Sequence, residues 1–188
     1  MITFKTWDTI WTDEVFSWYE SGEYSQYFRH IRYPVGRSQF VNYPDLLGGW
    51  VYGIFENSHE LKGLLQVYGY DPISGHLSLG IIIKKEYQNT GIGSKACYLA
   101  LEREFESKRL VKVKWEFLSD NEAMISGTKS LARLLEDKNY DTIESTPFYE
   151  GRLKKEVYLN GKSRDKIMCA ILVKQFKEIS EKINGKMG

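Results

Sequence analysis

The sequence predicts a mixed α/β protein, one layer of sheet covered by helices. Three observations carry that expectation. Short segments that alternate apolar and polar residues recur along the chain, as half-buried strands do. Four longer segments bear apolar residues at helical spacing. The two kinds interleave, and 188 residues suffice for one core, so a single domain over 1–188 is expected, with a helical extension at about 174–188.

Each element follows from its own residues. "ITFKTW" alternates and reads as a first strand; "TDEVFSWYESGEYSQYFRH" reads as an amphipathic helix with an Asp and a Ser near its start as candidate caps. The stretch from Pro34 to Pro44 is broken and reads as loop. Three short strands come next, "WVYGIFE", "LKGLLQVYGY" and "HLSLGIIIK", with "NSHE" and "DPISG" as the turns between them. "SKACYLALEREFESK" is apolar nearly all round its first turns, as in a helix lying on a sheet. "VKVKWEFL" is another strand, and "NEAMISGTKSLARLLEDK" a helix with Leu131, Leu134 and Leu135 on one side. The stretch from Tyr140 to Val173 reads as further strands around an Asn-Gly turn. "KQFKEISEKINGKMG" puts Phe176, Ile179 and Ile183 on one helical stripe, which either packs on its own domain or meets a second copy.

Composition excludes some classes of function. With 26 basic and 25 acidic side chains the net charge is +1, so no global field draws the chain to nucleic acid or to a membrane, and such a partner needs a local patch. The longest apolar run is far short of a bilayer span, and "MITFKTWDTI" lacks the basic and apolar regions of a secretory signal; a soluble, cytoplasmic protein is expected. Cys97 and Cys169 sit in apolar runs without the spacing of a metal site, so buried free thiols are expected and no metal.

The stretch richest in chemistry is "KKEYQNTGIGSKA", residues 84–96. A pair of glycines alone marks any turn that needs positive φ or a close approach. Here an apolar strand runs into "QNTGIG" and a helix begins at once, so the N–H groups of Gln88, Asn89, Thr90, Gly91, Ile92, Gly93 and Ser94 lie where a helix start favours an anion. Two familiar phosphate loops fail on spacing: Ala96 stands where GxGxxG needs its last glycine, and no Gly-Lys-Ser/Thr closes a P-loop. The segment does resemble the Gln/Arg-x-x-Gly-x-Gly/Ala pyrophosphate loop of the GNAT superfamily of N-acetyltransferases, with Gln88, Gly91 and Gly93 at the matching positions. Nearly the whole chain follows the GNAT order of elements. Its end looks most like the branch that acetylates protein N-termini and ribosomal proteins, with Asn139-Tyr140 in place of Gly-Phe and Asp165 in place of a later Asp.

The resemblance implies a GNAT fold, a mixed, mostly antiparallel sheet with a central splay and helices on both faces. It implies acetyl-CoA as cofactor, its arm bonded to the main chain of Ile81, Ile82 and Ile83, with Gly80 letting it approach and Asn121 holding the pantetheine. It implies a primary amine as acceptor, a small molecule or a protein, and a monomer or homodimer. Glu116, spaced from Asn121 as in the family, is the implied general base; in "VKVKWEFL" it falls on the face opposite Val113, Trp115 and Phe117, where it equally balances Lys112 and Lys114. His76 and Ser78 share a face of the earlier strand and are the other candidates. The tyrosine that protonates the departing thiolate in relatives has no counterpart. Counting back from Tyr140 reaches Leu135 and forward from Asn121 reaches Thr128; Tyr149, Tyr158 or an unaided thiolate remain.

Acceptor choice is expected in the first helical region and the last hairpin. Trp7, Trp11, Trp18, Tyr24, Tyr27, Phe28, Tyr33 and Tyr43 crowd the first 55 residues, mostly as core. Arg29, His30, Arg32 and Arg37 interleave with them and suit an acidic peptide, a phosphate or a nucleic acid. A nucleic-acid-directed enzyme on the same scaffold, and an inactive GNAT-like binding protein, are the alternative readings.

Overall fold

The computed structural model describes residues 1–21, 24, 35–57, 60–159 and 161–185. Two compact units make up the chain: Met1–Tyr70 with Ser78–Ala100, and Asp71–Leu77 with Leu101–Gly188. The fold class is α/β, as the alternation of strand-like and helix-like segments predicts.

Among the described residues the first unit carries four strands in the order β1 (Ile2–Thr6), β2 (Gly49–Glu56), β3 (Gly63–Asp71), whose last residue counts with the second unit, and β4 (His76–Ile83), whose first two residues do. β1 and β2 are antiparallel, with Ile2 opposite Glu56, and so are β2 and β3, with Gly49 opposite Tyr68 and Ile54 opposite Gly63. The "DPISG" turn closes as an Asx turn, Asp71 Oδ1 accepting the N–H groups of Ile73 and Ser74 at 2.9 and 3.0 Å.

Among the described residues three α-helices precede β2: α1 (Thr12–Glu20), α2 (Arg37–Phe40) and α3 (Tyr43–Leu47). The side chains expected to cap α1 do other work: Asp13 pairs with Arg37, and the Ser17 hydroxyl donates to Glu14 O at 2.6 Å. The part of the predicted helix beyond Ser21, together with Tyr27, Phe28, Tyr33, Arg29, His30 and Arg32, lies outside the described residues except for Tyr24. Between Pro34 and Pro44 the expected loop is replaced by α2 and the start of α3. Pro44 falls in the first turn of α3, where its missing N–H costs nothing, and Gly48 at φ 67° ends the helix.

These helices cover one face of the sheet. Trp11, Val15, Trp18, Tyr24, Phe40, Tyr43 and Leu47 pack with Val51, Phe55, Leu64 and Ile82, and Phe40 stacks on Tyr43 with centroids 4.9 Å apart. Of the N-terminal aromatics expected as core, Trp11, Trp18, Tyr24 and Tyr43 are buried and Trp7 is partly buried among the described residues. α4 (Ile92–Ser107) takes the other face: Ile82 points into the aromatic core, while its neighbour Ile83 reaches to 3.5 Å of the Cβ position of Gly93 at the start of α4.

The second unit holds β5 (Lys112–Leu118), β6 (Tyr149–Leu159) and β7 (Lys162–Leu172) in the order β5-β7-β6, with antiparallel pairing on both sides of β7. α5 (Glu122–Glu136) buries Thr128, Ala132 and Leu135; Leu134, expected on the buried side, is exposed. α6 (Val173–Gly185) buries Phe176 and Ile179 on its own unit, with Phe176 stacked on Phe105 at 5.3 Å. The strand expected from Tyr140 begins only at Tyr149. Before it the Ser145 and Thr146 hydroxyls bond the Thr142 and Ile143 carbonyls, each at 2.8 Å, and these local bonds favour turns over a ladder.

Candidate functional site

β4 delivers the chain to the glycine loop. The Lys84 N–H donates to Lys62 O at 3.0 Å, and a tight turn over Lys85–Tyr87 follows, with the Tyr87 N–H on Lys84 O at 2.9 Å. The loop then enters left-handed backbone at Asn89, φ 61°, and Gly91, φ 86°. The Gln88 amide donates from Nε2 to Ile83 O at 2.9 Å, and the Thr90 hydroxyl to Tyr87 O at 2.7 Å. α4 takes its first backbone bond at Lys95, onto Gly91 O at 3.1 Å.

The bookkeeping of donors singles this loop out. Among the described residues the N–H groups of Asn89, Thr90, Gly91, Ile92, Gly93 and Ser94 have no hydrogen-bond acceptor. Successive free amides around left-handed positions form a concave donor cradle, and the helix dipole adds about half a positive charge at the same end. The glycines fit this use. At Gly91 a side chain would be held in left-handed backbone, and at Gly93 a Cβ would meet only Ile83 Cγ1 at an ordinary 3.5 Å, so packing does not by itself require glycine at 93. A diphosphate, with its many acceptor oxygens, matches such a cradle.

Two residues expected at this site do something else. Gln88 is not among the free donors: its N–H goes to Lys85 O at 3.2 Å and its side chain to Ile83, so it shapes the loop from behind. The space beside Gly80 goes to Gln66, whose Oε1 lies 2.7 Å from where a Cβ would be and whose Nε2 bonds the Tyr43 hydroxyl. Gln66 and Tyr43 are buried, and burial pushes the Tyr43 phenol well above its ordinary pKa, so it stays a neutral partner.

The loop is anchored by contacts that sequence spacing does not reveal. The Tyr24 hydroxyl accepts the Lys85 N–H at 2.8 Å, and the Tyr87 hydroxyl donates to Glu60 Oε1 at 2.5 Å. Lys62 Nζ stands 3.7 Å over the Tyr87 ring and 2.7 Å from Glu60 Oε2. Hydrogen bonds from Lys62 and then Tyr87 bring the Glu60 carboxyl down to about 2, so it is anionic. The aromatic in "EYQ" was visible in the sequence, but its partners, Glu60 and Lys62, come from the segment just before β3.

The candidate bases divide between the units. Ser78, in the first, has no hydrogen-bonding neighbour among the described residues that would activate it. In the second unit Glu116 presents a side chain 35% exposed, with Lys166 Nζ at 3.3 Å; Lys166 also stands 3.9 Å from Glu156. His76 Nε2 lies 3.8 Å from Asp71, and its Nδ1 is enclosed without a partner among the described residues. Asn121 caps α5, its Oδ1 accepting the Met124 N–H at 3.2 Å, which leaves its NH2 group for other work. At the positions without tyrosine, Leu135 is buried and Thr128 Oγ1 accepts the Trp115 indole N–H at 3.2 Å.

Both cysteines are free thiols; Cys169 is buried as expected, while Cys97 is only half-buried. Burial pushes the Cys97 thiol up to about 11 and the Cys169 thiol up to about 12. At pH 8 both are protonated in the folded protein, so Ellman's reagent should titrate neither until denaturant is added; prompt reaction of the native protein would contradict this environment.

The model of the acetyltransferase (GNAT) domain matches residues 4–131. No curated protein sequence matches the chain. Among solved structures, spermidine N-acetyltransferase from Vibrio cholerae in complex with CoA and spermine is similar at TM-score 0.76 and 16% identity, over 94% of this chain and 98% of that one. Mutant forms of the spermidine/spermine N-acetyltransferase SpeG from the same organism give TM-score 0.75 and 17% identity, over 96% and 98% of the two chains. RimL, a ribosomal-protein alpha-N-acetyltransferase, gives 0.69 and 18%, over 92% and 90%. These likenesses show a shared fold. Together with the family model, which spans more than half of the sequence, they identify the chain as a member of the GNAT acetyltransferase family.

Proposed function

We propose that this protein transfers an acetyl group from acetyl-CoA to a primary amine by direct attack of the amine on the thioester. The observation that carries the reading is the cradle of free amides from Asn89 to Ser94 at the start of α4. An anion of diphosphate size satisfies those donors, and CoA carries one. The main chain of Ile81, Ile82 and Ile83 would take the pantetheine arm, and the Asn121 NH2 group its amides. Glu116 is the proposed base, preferred over His76 and Ser78 because its carboxylate is part-exposed and stands 3.3 Å from Lys166 Nζ. The thiolate leaves without a tyrosine, which a group of pKa about 8.5 tolerates near neutral pH.

The structural relatives act on amines of two kinds, spermidine or spermine and a ribosomal protein. A primary amine is the acceptor class they share, and cradle and base would serve either.

Calorimetric titration with acetyl-CoA tests the reading. Micromolar binding is expected, and in Gly91→Glu/Gly93→Glu the affinity should fall by at least about a hundredfold, because a carboxylate would occupy the cradle and strain the left-handed position. No binding by the wild type, or equal binding by the double variant, would overturn it.

A further inference from the structure

An amide cradle binds an anion only as well as it is held before the anion arrives. Loop residues left to fluctuate must be ordered on binding, and that entropy is subtracted from affinity. Gly91 raises the stake: its side is open and glycine explores more backbone than any other residue. What fixes the loop therefore matters as much as the amides.

Two of its fixings meet at one residue. Tyr87 is half-buried and engaged through side chain and backbone at once. Its hydroxyl donates to Glu60 at 2.5 Å, its ring lies under Lys62 Nζ at 3.7 Å, and its N–H donates to Lys84 O at 2.9 Å. Its carbonyl accepts the Thr90 hydroxyl at 2.7 Å, and Thr90 is inside the cradle. Glu60 and Lys62 are ion-paired at 2.7 Å, and Lys84 Nζ reaches Glu14 at 2.7 Å and Glu86 at 3.5 Å, so the ring rests on a charged lattice tied to β3 and α1. Tyr87 thus ties the first turn of the loop to the start of β3 and to α1.

We propose that Tyr87 is the positioning residue of the cofactor cradle: its ring, clamped by Glu60 and Lys62, holds the Thr90 side of the loop so that the amides from Asn89 to Ser94 stand ready for a diphosphate. The inference rests on the acetyl-CoA reading above and adds what sets its affinity. In this role Tyr87 acts through the loop, so its loss weakens cofactor binding and leaves the chemical step alone.

Tyr87→Leu removes ring and hydroxyl; Tyr87→Phe keeps the ring under Lys62 and loses only the bond to Glu60. Titrating each with acetyl-CoA, the dissociation constant should rise about tenfold for Tyr87→Leu and about threefold for Tyr87→Phe, a partial rescue that follows the cation–π contact. Hydrogen exchange of the amides from Asn89 to Ser94 in the free protein should be faster in Tyr87→Leu than in the wild type, and saturating acetyl-CoA should restore equal protection. A purely structural role would lower the melting temperature without this ordered loss of affinity, so thermal unfolding of both variants is recorded alongside. Wild-type-like affinity and exchange in Tyr87→Leu would overturn the positioning role and leave the acetyl-CoA reading standing. Failure of the wild type to bind acetyl-CoA would overturn both.

Discussion

Alanine at Gly63 should cost the protein about 3 kcal/mol of stability or more, seen as a lower urea midpoint at unchanged slope. The reason is a backbone contact. A Cβ at Gly63 would lie 2.2 Å from the carbonyl oxygen of Ile82 and 3.1 Å from the Ile83 Cα. Neither atom can swing aside as a side-chain tip would, so β4 must move off β3 at the point where it enters the cradle loop. Gly80→Ala presses instead on the Gln66 Oε1 at 2.7 Å and should cost less, since an amide can turn, though at the expense of its bond to Tyr43. If Gly63→Ala loses less than about 1 kcal/mol, the close approach of β3 and β4 is not a constraint on the fold. A folded Gly63→Ala that binds acetyl-CoA as the wild type does would also separate strand spacing from cradle geometry.

What the sequence made legible was what local pattern encodes. Alternation placed β1 and β5, apolar segments bounded by turns placed β2 to β4, and the glycine loop with its following helix emerged within a few residues of its observed bounds. The failures have a common physical origin in partners far along the chain or in side-chain bonds back to the main chain. Pro44 suggested loop, but proline is at home in a helix's first turn. Residues 140–148 looked strand-like until their hydroxyls were seen closing turns on neighbouring carbonyls. Leu134 sits beside Leu135 in sequence, yet α5 turns the one outward and the other inward. At the site, Gly91 and Gly93 could be recognised because a free backbone is a local property. The work done by Gln88, Gly80 and Tyr87 could not, because it depends on Ile83, Gln66, Glu60 and Lys62 being brought alongside.

Glu116→Gln should lower turnover at pH 7 by about 10²- to 10⁴-fold while acetyl-CoA affinity stays within twofold of the wild type. An alkylamine acceptor with a pKa near ~10 is almost wholly protonated at neutral pH, and only its free base attacks a thioester. A carboxylate that accepts the proton supplies that free base in place; the glutamine amide keeps size and polarity but cannot take the proton. Lys166 makes the test demanding, because its ammonium stands 3.3 Å from the carboxylate and loses that partner in the variant, while Glu156 stays at 3.9 Å. Lys166→Met separates the two effects: if turnover in Glu116→Gln fell only because Lys166 was left unpaired, the double variant would recover. The pH dependence decides the role. As pH rises toward the acceptor's own pKa the amine deprotonates without help, so the deficit of Glu116→Gln should shrink steadily above pH 8. A deficit constant across that range would mean that Glu116 holds structure and does not move the proton, and an undiminished rate at pH 7 would transfer the search for the base to His76 and Ser78.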